Sequence, residues 1–262
     1  MSSAARLLAI LDLFDDTRPV WSAEAAARAL DVSVSTAYRY FRDLCAAELL
    51  VPVTGDGYRL GPAILKYERL IRITDPLLDA ARPVMRQVQA DAGKGASVFL
   101  SRMYRESVMC VVAISGETAP TSISYERGRP MPSFRGATSK IILAHLPRRT
   151  LKRLFEAHEM EIRNALQVAN WREFLDLLRT IRRRGLCLSA SEVDPGIVGI
   201  AAPVFDARGA IAASLTVAGK ASDVSIAESD RLAALTQSAA RAVTARMAQF
   251  SESSPFVPRI VA

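Results

Sequence analysis

Apolar and polar positions alternate along this chain with two different periods, and the change of period divides it. From Arg6 to Asp15 the apolar residues fall at 7, 8, 10, 11, 13 and 14, the stripe of an amphipathic helix. Ser22 can cap an alanine-rich helix from Ala23 to Leu30, and Asp31–Val32 makes a turn. Ser33 stands where a second cap belongs, before a helix from Val34 to Ala47 that turns Ala37, Phe41, Leu44 and Cys45 inward. Two short apolar runs around Gly55-Asp56-Gly57 then predict a hairpin over 51–60. Gly61 to Thr74 opens with Pro62 in its first turn and is apolar on more than one face. Such a helix either pairs with a second copy of itself or lies on its own domain. A further helix, from Pro76 to about Ala92, closes at Gly93.

After Gly95 the period shortens towards two. Strands are expected at 96–103, 107–114, 121–125, 186–193, 198–205 and 210–218. Helices are expected at 136–146, 149–158, 171–184 and 225–250, with a loose end from Ser251. The economical arrangement is α+β, an antiparallel sheet with helices on its faces.

The stretch Ser22 to Arg59 carries the clearest chemistry. Its second helix buries one face and shows Ser35, Thr36, Tyr38, Arg39 and Arg42 on the other. A helix-turn-helix needs this division, because its second helix must pack on its neighbours while entering a major groove. Hydroxyls at Ser33, Ser35 and Thr36 allow close approach to phosphates, and Arg39 can reach a base edge or a phosphate. The hairpin reads as a wing, with Arg59 beside the groove. An ordinary helical hairpin is the alternative, and the order of parts within forty residues argues against it.

Charge changes this picture less than its total implies. The 262 residues carry a net charge of +7, but residues 1–74 hold nine basic and nine acidic side chains. The excess lies in residues 75–262, much of it at Arg148, Arg149, Lys152, Arg153, Arg179 and Arg182 to Arg184, read most simply as solvated helix faces. Cys45, Cys110 and Cys187 are odd in number and scattered, which suits a reducing cytoplasm and gives no metal-ligand spacing. No apolar run is long enough to span a membrane, and the N-terminus lacks a secretory pattern. His145 and His158 have no matched carboxylate motif, and neither a Gly-x-Ser-x-Gly elbow nor a phosphate loop occurs. Catalysis is a poor reading, and no cofactor is called for. In the second half, the loop-to-helix junction Ser133 to Lys140 offers free N–H groups for an anion, with Arg135 to add charge. An ordinary cap with a surface arginine is the bland alternative.

The run from Arg6 to Pro62, with Gly196-Ile-Val-Gly-Ile-Ala-Ala-Pro-Val-Phe-Asp206 and Ser214 to Gly219, resembles the isocitrate-lyase-regulator (IclR) family of bacterial transcription factors. The likeness covers about 6 to 248. It implies a winged helix-turn-helix over 1–60, a linker helix over 61–75, a GAF-like effector domain over 76–250 and a flexible tail over 251–262. It also implies carboxylate binding by the backbone of Ala137 and Thr138, with further pocket positions at Ser189, Gly199, Thr216 and Ala218. Members that bind a very small keto acid have Asp, Cys, Ser and Ser at the last four. The departures imply a roomier, less polar pocket near Phe99, Met103 or Phe134, suited to a larger acid, aromatic ones included.

The sequence therefore reads as a cytoplasmic, ligand-responsive regulator that binds a double-stranded operator as a homodimer or dimer of dimers. Effector binding is expected to act through the 61–92 helices. The rivals are a winged-helix protein with an enzymatic second domain, for which Glu192 and Asp194 are the only close acidic pair, and a DNA-binding module whose second half only oligomerises. On a strand, that acidic pair would share one side and pair with arginines.

Overall fold

The computed structural model describes residues 2–253, which fall into two compact units meeting between Asp75 and Pro76. The first unit begins with α1 (Ser3–Ala9), capped by the Ser2 hydroxyl. A 3-10 turn at Leu11–Leu13 follows, so the helix expected over 6–15 starts earlier and breaks at Ile10. Asp15 then turns the chain by accepting the N–H groups of Thr17 and Arg18, both at 2.8 Å.

Helix α2 (Ala23–Ala29) is capped by Ser22, whose hydroxyl accepts the N–H of Ala25 at 3.2 Å. Asp31 takes a left-handed φ of 51°, closing the turn into α3 (Val34–Ala46). Strands β1 (Leu50–Val53) and β2 (Gly57–Leu60) form the antiparallel wing, with Gly55 at φ 81° in its turn. Trp21 pairs with Tyr58 as well, through backbone bonds of 3.0 and 2.8 Å. That bridge ties the wing to the entry of α2. Phe41, Leu44, Ile10 and Leu50 fill the small core, and Tyr40 joins them at 4% exposure. Helix α4 (Pro62–Thr74) buries only Ala63. Leu65, Tyr67, Leu70, Ile71 and Ile73 stay exposed, Leu65 by 72%.

The second unit is a six-stranded antiparallel sheet between two helical layers, with strand order β5-β4-β3-β8-β7-β6. Strands β3 (Ser97–Tyr104) and β4 (Ser107–Ser115) form a hairpin. Strand β5 (Pro130–Met131) borders β4, and β6 (Cys187–Ala190), β7 (Ile197–Phe205) and β8 (Ile211–Lys220) complete the sheet. Residues of even parity on β3 and β7, and of odd parity on β8, face α5 (Pro76–Ala92) and α9 (Ile226–Ser253) in one core. The opposite face meets α6 (Gly136–Leu143), α7 (Arg148–Leu166) and α8 (Trp171–Arg184) in a second. With both faces covered, the strands lose the clean apolar–polar alternation of a half-exposed sheet.

Several expected elements differ. Residues 121–125 are not a strand: the N–H of Ser124 is taken by Asp194 at 3.0 Å, so a carboxylate replaces a ladder partner. Helix α6 ends at Leu143, and α7 continues to Leu166 through a kink at His158 (φ −130°). Strand β6 stops at Ala190, where Ser191 turns left-handed at φ 54°. Helix α9 runs to Ser253, and the remainder of the expected tail, 254–262, lies outside the described residues.

Candidate nucleic-acid interface and ligand site

On α3, Ser35, Tyr38, Arg39 and Arg42 share an exposed face, with Thr36 half-buried at its border. Ser33 is spent on capping: its hydroxyl accepts the N–H of Thr36 at 3.2 Å and lies 2.8 Å from the Thr36 hydroxyl. The Tyr38 phenol donates to Glu24 of α2, which holds the Glu24 carboxyl below its usual value and raises Tyr38. Arg39 stands over the Tyr40 ring at 5.6 Å, and Arg42 lies 3.6 Å from Asp43. Arg59 is exposed on β2. Arg18, which sequence reasoning passed over, stacks on Trp21 at 3.4 Å beside the wing. Together these parts present one polar helix face and a hairpin that exposes Arg59, with Arg18 beside it, the division a major-groove reader needs.

In the second unit, strand register builds a site. Ser189 pairs with Gly199 and Gly199 with Ala218, so the three form one row across β6, β7 and β8. Thr216 lies two residues from Ala218 on the same face, opposite Phe99 of β3. The N-terminus of α6 descends on this row. The N–H of Ala137 donates to the Ser189 hydroxyl at 2.9 Å, and the Thr138 and Thr216 hydroxyls lie 3.0 Å apart. Gly136 takes φ 78°, and a Cβ there would meet Val193 at 2.9 Å and the Tyr125 hydroxyl at 3.1 Å. Only glycine fits that approach.

Three residues that the sequence did not single out as pocket-forming complete the site. Glu192 accepts the N–H of Gly136 at 3.0 Å and pairs with Lys140 at 2.5 Å. Asp194 accepts both the N–H and the hydroxyl of Ser124, at 3.0 and 2.6 Å. The pair therefore follows a strand rather than lying on one, and its partners are a lysine, a serine hydroxyl and two backbone amides instead of arginines. Tyr125 covers the row, its ring 5.0 Å from Phe99, and burial pushes its phenol up to about 12.

The enclosed space is about 20 Å³, lined by Tyr125, Ala137, Thr138, Ser189, Ile197 and Thr216 among others. That is room for about one water, so the expectation of a roomy pocket is not met in this state. Phe134 and Met103 pack into the core under α6 to α8, and only Phe99 stands by the cavity. Arg135 sits at the cap position of α6 with its side chain exposed and outside the lining. The anion position at the helix start is filled by the chain's own Glu192.

The buried thiols are poor nucleophiles, since burial pushes Cys110 up to about 12 and Cys187 up to about 11. Among the described residues no group of three His, Cys, Asp or Glu side chains could hold a metal, and no helix is long and apolar enough to cross a membrane.

A winged helix-turn-helix joined to a separate sheet unit with a small cavity beneath α6 is the build of a DNA-binding regulator. Residues 3–52 match the IclR helix-turn-helix domain, and residues 74–245 match the bacterial transcriptional regulator IclR C-terminal domain. The chain belongs to the IclR family of DNA-binding transcriptional regulators. It is 27% identical to the regulator BhcR of Paracoccus denitrificans over 245 residues, covering 93% of this chain and 86% of that protein. It is 20% identical over 219 residues to the Pca regulon regulatory protein of Pseudomonas putida, 83% of this chain and 74% of that one. Its fold resembles an IclR transcriptional regulator from Alicyclobacillus acidocaldarius (TM-score 0.75, 20% identity, 94% and 98% of the two chains). It also resembles an IclR homologue from Microbacterium hydrocarbonoxydans complexed with 4-hydroxybenzoate (TM-score 0.75, 19% identity, 97% and 100%).

Proposed function

We propose that this regulator senses a small organic acid, aromatic acids included, at the start of α6, and that occupancy changes its affinity for an operator. One observation carries the reading. The chain has built an anion position from the Gly136 N–H and Lys140, and fills it with its own carboxylate, Glu192. Helix N-termini favour negative charge, and a ligand carboxylate can replace Glu192 there. Behind that position lie Phe99, Ile197 and Ala218, an apolar floor with hydroxyls at Thr138, Thr216 and Tyr125. This mix suits a ring bearing a carboxylate and a polar group. Relatives support it by name: one structure holds 4-hydroxybenzoate, and one relative is a p-hydroxybenzoate hydroxylase transcriptional activator from Acinetobacter baylyi. Binding requires the 191–196 loop to move, because the present cavity is about 20 Å³.

On the first unit, we assign base reading to Arg39 and backbone contact to Arg59, with Ser35, Thr36, Tyr38 and Arg42 around them. A palindromic operator requires two copies, and the exposed apolar residues of α4 supply a surface for a homodimer. The second unit is read as a sensor, not an enzyme, in keeping with the raised thiols.

The test is thermal stabilisation of the whole chain by acetate, pyruvate, benzoate and 4-hydroxybenzoate. An acid at one hundred times its dissociation constant adds about 2.7 kcal/mol. The small cavity favours one rival, a second unit that binds nothing and only assembles. Absence of any acid-dependent shift, in protein that still binds DNA, would decide for that rival.

A further inference from the structure

The chain's positive charge is in the wrong place for its DNA reader. Residues 1–74 are neutral, nine basic side chains against nine acidic, and the whole excess of +7 belongs to residues 75–262. Non-specific DNA affinity is almost entirely electrostatic, and the reading domain brings to it only the local cations Arg39, Arg42 and Arg59, with no net charge behind them.

Contacts gather much of the excess at one end of the second unit. His145, just beyond α6, stacks edge-on against Phe205 at the end of β7, with ring centroids 5.1 Å apart. The Phe205 N–H donates to Thr244 of α9 at 3.1 Å. Gln237, two turns earlier on α9, donates to the carbonyls of Arg184 and Gly185 at the end of α8, at 3.2 and 3.4 Å. The field of Arg182 also reaches His145. These contacts draw the end of α6, the β7–β8 turn, the end of α8 and the middle of α9 together.

Each of those pieces carries exposed arginine. Arg148 and Arg149 open α7 three residues after His145, and Arg182 and Arg183 end α8. Arg208 sits in the β7–β8 turn. Arg241 lies one turn after Gln237 and one before Thr244, on their side of α9. Among the described residues none of the six enters an ion pair. The acid in the turn, Asp206, is committed to the N–H groups of Arg208 and Ala210, both at 2.9 Å. Arg182 and Arg183 complement the α8 dipole, but Arg148 and Arg149 stand in the first turn of α7, where the dipole disfavours cations. Helix stability therefore does not explain them.

We infer that this arginine face of the second unit binds the phosphate backbone of double-stranded DNA and adds to the sequence-independent affinity that Arg59 and its neighbours supply on the first unit. All six cations are arginines, whose forked guanidinium matches phosphate oxygens two at a time. A second copy of the same face is disfavoured by like-charge repulsion, and the charge gives no reason for an apolar partner.

The experiment uses the full chain and a mixed-sequence 40-base-pair duplex, with fluorescence anisotropy across 50–200 mM KCl. Each phosphate contact adds about 0.9 to the slope of log affinity against log salt. The variant R182Q/R183Q/R208Q/R241Q is expected to lose at least about 2 from that slope, and about tenfold or more in affinity at 100 mM. A control with equal charge loss elsewhere on the unit, R86Q/R105Q/R172Q/K220Q, is expected to keep the slope within about 1. The pairs R182Q/R183Q and R208Q/R241Q, each expected to show about half the loss, guard against misfolding of the fourfold variant. Equal loss in variant and control, or loss in neither, overturns the inference. Retained DNA slope with lost binding to an acidic polypeptide such as poly-glutamate also overturns it.

Discussion

Glu192 holds the N–H of Gly136 at 3.0 Å, a carboxylate from the loop after β6 placed on the first turn of α6. The contact closes the cavity and satisfies one of the donors that every helix start leaves open. It also sets an internal competitor against any acid that enters.

Glu192→Gln keeps a hydrogen-bond acceptor for Gly136 and removes the charge facing Lys140. We predict roughly tenfold tighter binding of benzoate or 4-hydroxybenzoate, about 1.4 kcal/mol, of the order of one charge-assisted bond. Calorimetric titration checks this. Weaker binding in the variant would make Glu192 a ligand-holding group and end its role as competitor.

The row Ser189–Gly199–Ala218 sets the room beneath α6. A Cβ on Gly199 meets Ser189 Oγ at 3.5 Å and Thr216 Cγ2 at 3.8 Å, ordinary contacts. Gly199→Ala is therefore expected to fold normally and to gain up to about 1 kcal/mol from lost chain freedom. Gly199→Cys with Ala218→Ser fills the space further, at a cost within about 1–3 kcal/mol. We expect this double variant to lose response to aromatic acids while DNA affinity is unchanged. Denaturant melts and acid titrations read both arms, and an unaltered acid response refutes the assignment.

Arg39→Ala is expected to weaken operator binding by about 1–3 kcal/mol, the range of a base contact. Arg59→Ala should weaken all sequences alike and lower the salt slope by about 0.9. Wild-type binding by both variants would show that α3 and the wing are misassigned. Footprinting against genomic fragments supplies the operator for the comparison.

Burial lowers the His145 imidazole below its ordinary 6.5, opposed by its bond to the Ile141 carbonyl and assisted by Arg182. The folded state thus favours the neutral ring. Between the folded value and 6.5 the unfolded chain binds more protons, so stability rises with pH across that window and levels off above it. His145→Phe should flatten this part of the profile. Urea melts from pH 5 to 8 test it, and an unchanged slope in the variant would place the titration elsewhere.

What the sequence determined was local. Ser22 and Ser33 cap α2 and α3 because a hydroxyl before an apolar-periodic run satisfies the first free N–H groups, a matter of three residues. The stripe Ala37–Phe41–Leu44 announced the buried face of α3 in the same way. Likeness to a family placed Ser189, Gly199, Thr216 and Ala218 at a pocket, and the structure does bring them beside Ala137 and Thr138. Their assembly was decided by strand register across residues nearly thirty apart, a long-range choice that no local pattern encodes. Segment 121–125 reads as a strand because its residues suit one, yet a single carboxylate from Asp194, seventy positions away, takes the backbone amide a ladder would need. Arg135 and Glu192 show the same division. The sequence offered Arg135 as a cation beside an anion at the start of α6, but its side chain lies exposed, Lys140 stands there instead, and Glu192 from a distant loop fills the anion position. Helix caps and stripes are settled among near neighbours. Which side chain fills a cavity is settled only when the whole sheet has closed.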